Sequence, residues 1–272
     1  GIDTIGVLID IPNNYKRIYP SAHLSYTFSP FSYLKLGYSS RLNRPGLKML
    51  NPVIYNKLSS LVDTVGNPNL KPEFIDVFEL SYGIDKHIYG IDISLYHQNI
   101  KDAIQWSHDV NTITYSNSGR GKLNGIDIML KKSLKSYWDL ILTGNYYESK
   151  ISGSIEGHLN GDESGGMLRF INLLKFSNFG DLEINGAYYM PKKILGGTIF
   201  PDGKFILDMA YQVSLYKERL KLTCKVIDIL DSDIFEQNTI KIMDMEEVDI
   251  YSYKKHSMRT FYLAIQYRFI NI

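Results

Sequence analysis

The chain of 272 residues is predicted to be all-β, an antiparallel transmembrane β-barrel of about eleven or twelve strands. Three observations predict it: long segments in which apolar and polar residues alternate, connections that are short and long in turn, and a last strand with one wholly apolar face. In that strand Phe261, Leu263, Ile265, Tyr267 and Phe269 share one face, and Tyr262, Ala264, Gln266 and Arg268 share the other. Successive side chains of a strand point to opposite sides, so this one suits lipid outside and water inside a closed barrel.

The elements follow in order. A poorly defined strand occupies the first dozen residues. In 22–28, Leu24, Tyr26 and Phe28 oppose His23, Ser25 and Thr27. Strands are placed at 33–43 and 74–84. In 88–98, Tyr89, Ile91, Ile93 and Leu95 oppose Gly90, Asp92, Ser94 and Tyr96. Further strands fall at 122–132, 137–150, 167–178 and 180–190. In 204–216, Phe205, Leu207, Met209, Tyr211, Val213 and Leu215 oppose Lys204, Asp208, Ala210, Gln212 and Ser214. In 219–226, Leu220, Leu222, Cys224 and Val226 oppose Lys221, Thr223 and Lys225. A helix would repeat its apolar positions every third or fourth residue, and these segments do not. Strands of about ten residues suit a tilted crossing of a bilayer and exceed the usual five or six of soluble sheets.

Short links at Ser29–Ser32, Asp85–His87, Ser133–Ser136, Asn178–Gly180 and Tyr216–Arg219 alternate with long polar links at 44–73, 99–121, 151–166, 191–203 and 231–257. A transmembrane barrel has tight turns on its periplasmic rim and extended loops outside. Gly144, Gly186 and Gly90 lie inside strands and are expected to allow close packing or bends in the wall.

Composition removes other classes. Thirty Lys and Arg balance 29 Asp and Glu, without the strongly basic surface of a nucleic-acid partner. A single cysteine, Cys224, excludes an internal disulfide and a cysteine metal cluster. No run approaches the ~20 apolar residues of a membrane-spanning helix. Twenty-one tyrosines suit interfaces where a ring is greasy at one end and wet at the other. Gly1 opens the chain without an initiator Met or a signal-like apolar run, which is expected of a processed or truncated sequence.

One resemblance rests on specific residues. Gly66-Asn67-Pro68-Asn69-Leu70-Lys71-Pro72-Glu73, then Glu79-Leu80-Ser81-Tyr82, resembles the segment that closes a long loop in TonB-dependent outer-membrane receptors. Upstream, the stretch from Tyr38 through Arg41, Arg44 and Pro45 to Leu50, Asn51 and Pro52 is similar to the version typical of Bacteroidetes-type barrels. Asn117-Ser118-Gly119, Gly125-Ile126-Asp127 and the strand of Trp138 continue it. The resemblance is close over 18–152; beyond that it is mainly one of strand rhythm. It implies a bacterial outer-membrane transporter without enzymatic chemistry. It further implies that 1–272 is the C-terminal half of a barrel of about twenty-two strands, its plug domain absent from this chain. The implied partners are the TonB energy-coupling complex, through that plug, outer-membrane lipid and lipopolysaccharide, and a bulky nutrient such as a siderophore, cobalamin or an oligosaccharide. Family members usually end on an aromatic residue; here Ile270, Asn271 and Ile272 follow Phe269.

Physical chemistry gives the motif a mainly architectural role. Pro68 and Pro72 stiffen the returning loop, and Asn67 and Asn69 cap turns. Glu73 is expected to accept hydrogen bonds from Arg41 or Arg44. The loop aromatics Tyr55, Trp106, Tyr115, Tyr251 and Tyr253 are candidates to stack on a sugar or a siderophore ring; packing that anchors the loops is the alternative. Asp92, Asp208, Gln212, Gln266 and Arg268 are expected to line the lumen.

Other chemistry finds little support. His23, His87, His97, His108, His158 and His256 lack metal-ligand spacing, although His108, His158 and His256 fall in outer loops. Asp231, Asp233, Glu236, Asp244, Glu246, Glu247 and Asp249 make the last long loop acidic without the glycine and final glutamate of a calcium loop. That loop is expected to be solvated and to face lipopolysaccharide. Gly119, Gly121 and Gly125 form no dinucleotide fingerprint, so no cofactor is implied. Ser94 and His97 point to opposite faces and make no hydrolase pair. Two other readings stay open: a stand-alone pore or surface enzyme of about twelve strands, and a soluble all-β binding protein.

Overall fold

A computed structural model describes residues 18–52, 63–109, 112–152, 161–176, 179–194, 197–216, 218–243, 246–255 and 258–269. In chain order the elements are β1 (Ser21–Ser29), β2 (Ser32–Asn43), α1 (Leu47–Leu50), β3 (Asp63–Thr64), β4 (Glu73–Asp85), β5 (Tyr89–Asp109), β6 (Thr112–Lys135), β7 (Trp138–Ser152) and β8 (Gly161–Phe176). They continue as β9 (Gly180–Tyr189), β10 (Lys192–Ile194), β11 (Gly197–Ile199), β12 (Lys204–Leu215), β13 (Leu220–Ile227), β14 (Ile234–Met243), β15 (Glu246–Lys255) and β16 (Thr260–Tyr267).

All 16 strands belong to one sheet. Its wall runs β1-β2-β4-β5-β6-β7-β8-β9-β12-β13-β16, every neighbour antiparallel. From β8 a second path leaves through β10 and β11 to the hairpin β14–β15 and forms a flap beside the wall. Among the described residues β1 and β16 do not pair with each other, so the wall is open there.

Register sorts the faces. Directly opposed residues share a side of the sheet, and the row Leu24, Leu36, Leu80, Leu95, Ile126 and Tyr146 crosses six strands on one side. A second row runs Trp138, Leu174, Leu182, Tyr211, Cys224 and Leu263. Leu263 is 69 % exposed and Ile265 67 %, whereas Leu207 and Leu222 are half-buried. None of the four lies in a compact interior. Water would penalise so much contiguous apolar surface, and hydrocarbon does not. The opposite face carries Glu79, Asp92, Ser94, Asp127, Asn145 and Asp208 and faces the lumen.

The short turns stand where alternation ends, between β1 and β2, β4 and β5, β6 and β7, β8 and β9, and β12 and β13. The long connections differ from expectation. Residues 99–121 are mostly strand, because β5 and β6 pair from Tyr89↔Lys132 out to Asp109↔Thr112, with a bulge at Asp102 (φ 56°). Residues 231–257 are mainly the β14–β15 hairpin, and 191–203 hold β10 and β11. β8 begins at Gly161, inside the expected link 151–166. Beyond the membrane both faces of a hairpin meet water, so the ladder continues after the alternation stops. The strand expected in the first dozen residues lies outside the described residues.

Candidate functional site

The returning loop forms a hydrogen-bonded clamp at the long-loop end of the wall. Gly66 N–H donates to the Asn51 carbonyl (2.9 Å) and Asn67 N–H to that of Met49 (2.6 Å), seating the loop on α1. Asn67 Oδ1 accepts from Asn69 N–H (2.9 Å), a side chain closing its own turn, while Asn67 Nδ2 donates to the Tyr115 carbonyl in β6 (2.8 Å). Asn117 holds the next residue from both sides: Oδ1 accepts from Lys71 N–H (2.6 Å) and Nδ2 donates to the carbonyls of Lys71 and Asp102 (both 2.8 Å). Leu70, only 2 % exposed, sits under this lattice with buried Pro72. Among the described residues the buried hydrophobic ones are Leu70, Val77, Ala103 and Tyr115, all in this loop or in the adjoining strands β4, β5 and β6.

Glu73 ends the clamp with different partners from those expected. Its Oε1 accepts from Ile104 N–H (2.7 Å) and its Oε2 from Asn43 Nδ2 (2.6 Å), while Arg41 Nε donates to Ser39 Oγ (3.2 Å). Arg41 lies opposite Ile75, on the lumenal face of β2, and Glu73 at the start of β4 meets Asn43 directly. Arg44 and Pro45 follow β2 and lead into α1, and Pro52 follows its end.

Among the described residues, the candidate ligand aromatics fall on β15 and on the β5–β6 hairpin. Tyr251 and Tyr253 share one face of β15, 59 % and 57 % exposed, opposite Asn238 and Glu236. The Tyr251 hydroxyl donates to Glu236 Oε1 (2.9 Å), and that carboxylate raises the phenol above its ordinary pKa. Tyr115 is buried under the clamp, and the backbone of Trp106 pairs with it across the β5–β6 hairpin. Tyr55, His158 and His256 lie outside the described residues.

At the start of the last long link, Asp231, Asp233 and Glu236 each have a side-chain partner. Asp228, 1 % exposed at φ 52°, accepts from Ser232 N–H (2.9 Å), Ser232 Oγ (3.0 Å) and Asp233 N–H (2.8 Å). Its own N–H donates to Asp208 Oδ1 (2.8 Å), so one expected lumenal carboxylate anchors this turn. Asp233 pairs with Lys204 (2.9 Å), whose ammonium stands 4.3 Å from the Phe200 ring centre and 5.0 Å from that of Tyr189. Asp231 pairs with Lys255 (2.5 Å). The Lys255 ammonium, then the Arg259 amide, hold the Asp231 carboxyl below its usual range, and Asp231 holds Lys255 above its own. Sequence reasoning missed the Asp228 turn; its signal is a run of short polar acceptors spaced to bond their own backbone.

The rest of the lumenal face is also polar; Asn185, opposite Asp208, donates its Nδ2 to Glu183 and keeps a buried Oδ1 without a partner among the described residues. The Tyr33 hydroxyl donates to Asp92, and Ser94 reaches Glu79 through Ser81 (2.9 Å each). Gln212 and Gln266 lie on this face beside Thr223 and Lys221, and Arg268 N–H donates to the Arg219 carbonyl (2.8 Å). Among the described residues, no group of three His, Cys, Asp or Glu side chains is arranged to hold a metal ion.

An antiparallel wall, apolar outside and polar inside, defines an integral protein of the bacterial outer membrane. Residues 9–267 match the outer membrane protein beta-barrel family, to which the chain belongs. The fold is shared with solved receptors. The ferric enterobactin receptor PfeA from Pseudomonas aeruginosa, in complex with BCV-L6, aligns at TM-score 0.62 and 15 % identity over 92 % of this chain and 40 % of that one. The ferric-catecholate import receptor Fiu from K12 E. coli aligns at 0.58 and 13 % over 91 % and 34 %. The ferric yersiniabactin uptake receptor FyuA from Yersinia pestis gives 0.57 and 14 % over 92 % and 37 %. The chain thus spans well under half the length of these receptors. No curated protein matches it in sequence.

Proposed function

We propose that this chain supplies part of the barrel of a TonB-dependent receptor that takes up a bulky nutrient: a siderophore, cobalamin or an oligosaccharide. The observation that carries the proposal is the wall itself. Its fold aligns with that of siderophore receptors over 92 % of the chain, at TM-scores of 0.62 and 0.57. The clamp from Gly66 to Glu73 adds weight, because it fixes a loop at the mouth where a ligand would first be met. Transport needs no covalent step. Outer loops hold the nutrient, and direction follows from a difference in affinity between two states of the barrel and its plug.

The test uses the full-length receptor in its own cell. Strains lacking the receptor gene, or lacking the energy-coupling protein, are grown on a panel of ferric chelates, cobalamin and oligosaccharides as limiting sources. Both deletions are expected to abolish growth on the same source. Uptake that survives loss of the coupling protein would identify a passive pore instead.

A further inference from the structure

We propose that Lys101, Arg120, Lys122 and Lys150, on the outward face just beyond the apolar rows, bind the phosphate groups of lipopolysaccharide in the outer leaflet. The placement follows from register. Lys122 lies opposite Lys150, Lys101 opposite Arg120, and Asn99 opposite Lys122. These positions continue, on the same side of the sheet, the outward series Ile91, Ile93 and Leu95 of β5 and Ile126 and Ile128 of β6. Tyr146 is the last outward apolar residue of β7, and Lys150 comes two outward positions later. At ~3.3 Å per residue and a tilt of about 40°, that step is about 10 Å along the membrane normal. The patch therefore stands at the height of lipid headgroups, on the rim of the long connections, which faces outward from the cell.

The charge arrangement asks for an anion. Two like-charged cross-strand pairs lie side by side, and like charges directly opposed on neighbouring strands repel. Elsewhere Lys175, Lys204 and Lys255 pair with Asp139, Asp233 and Asp231 at 2.5 to 2.9 Å. Among the described residues Arg120, Lys122 and Lys150 make no ion pair, and Lys101 has only a loose one, 3.7 Å from Asp76. The nearby carboxylates on this face are Asp76, Glu148 and Asp162, three against four cations; Asp162 lies directly opposite Lys150 across β7 and β8 but outside ion-pair distance. Asp76 also accepts from the Tyr38 hydroxyl (3.2 Å) and Glu148 from that of Tyr146 (2.8 Å). Arg120, Lys122 and Lys150 are exposed. A phosphorylated glycolipid fits, since its acyl chains cover the Leu95, Ile126 and Tyr146 row while its phosphates relieve the repulsion above it. A free anion offers only the second contact.

The experiment uses the purified full-length receptor in detergent. Binding and thermal unfolding are followed with bisphosphorylated lipid A, with dephosphorylated lipid A and with inorganic phosphate. Bisphosphorylated lipid A alone is expected to stabilise the receptor. K122Q/K150Q should weaken its binding by about tenfold or more, while K132Q, an outward lysine at the opposite rim, should leave it within about twofold. Should the double variant fail to fold, K122Q and K150Q singly are each expected to weaken binding about threefold. Equal stabilisation by the dephosphorylated lipid, or unchanged binding by the lysine variants, overturns the proposal. So does a full response to inorganic phosphate, which would make this a site for the free anion. The outcome is independent of whether the receptor transports anything.

Discussion

Gly66 shows how tightly the clamp is built. A Cβ there would stand 2.4 Å from the Asn51 carbonyl oxygen and 2.8 Å from that of Lys48, both backbone atoms that cannot swing aside. Gly66→Ala is therefore expected to destabilise the full-length receptor by roughly 1–3 kcal/mol. The loss would be read as earlier unfolding in a denaturant series. The Asp231–Lys255 pair makes a different prediction. Asp231 is depressed, so its contribution is complete above the ordinary carboxylate range and fades as pH falls through its lowered pKa. Lys255 is raised, so its contribution holds below the ordinary lysine range and fades as pH rises through its raised value. Protection of the β14–β15 hairpin from proteolysis should thus be flat from about pH 5 to 9 and decline toward pH 3. Asp231→Asn should lower protection at neutral pH and remove the acid decline. A decline of unchanged size in that variant would assign it to other groups. Motif composition made the turn chemistry of Asn67 legible, but not the partner of Glu73. Charge attraction favoured arginine there, whereas the β2–β4 register puts Asn43 opposite.

At the scale of the strand, the apolar series is the determinant. β16 presents Phe261, Leu263, Ile265 and Tyr267 on one side, exposed to the surroundings of the wall. An arginine at Ile265 would bring a charge into hydrocarbon. The expected cost is roughly 2–4 kcal/mol near the bilayer midplane, measured as loss of folding into lipid vesicles. Gln266→Arg, on the wet face, should cost far less. An equal loss from both would mean that the two sides of β16 meet the same medium. The same physics decides which strands sequence could reveal. Residues 88–98 alternate because one side is in lipid, and that much was legible. The extension to Asp109 was not: Asn99, Lys101 and Asp102 lie where both sides are wet, and selection for alternation lapses. The β14–β15 hairpin was hidden for the same reason, its acids suggesting a loop although Asp231 and Glu236 bond Lys255 and Tyr251. Short turns were legible throughout, since alternation breaks there within two or three residues.

For the molecule as a whole, the division between lipid and lumen can be read at one native side chain. Cys224 is exposed and unpaired, and its register neighbours are Tyr211 and Leu263 in an outward apolar row. If that side of the wall is bathed in hydrocarbon, the thiol sits where charged reagents do not reach. In intact outer membranes a lipid-soluble maleimide is expected to label Cys224, and a sulfonated, membrane-impermeant one is not. Cys224→Ser supplies the blank. Moving the thiol one position along, as Thr223→Cys in the Cys224→Ser background, turns it to the lumenal face beside Gln212 and Ala264. The preference should then shift toward the charged reagent once the lumen is open to solvent. Labelling of Cys224 by the sulfonated reagent in intact membranes would mean that water bathes the apolar rows. The outward surface would then face water rather than hydrocarbon, and both the membrane orientation and the phosphate site above it would be lost together.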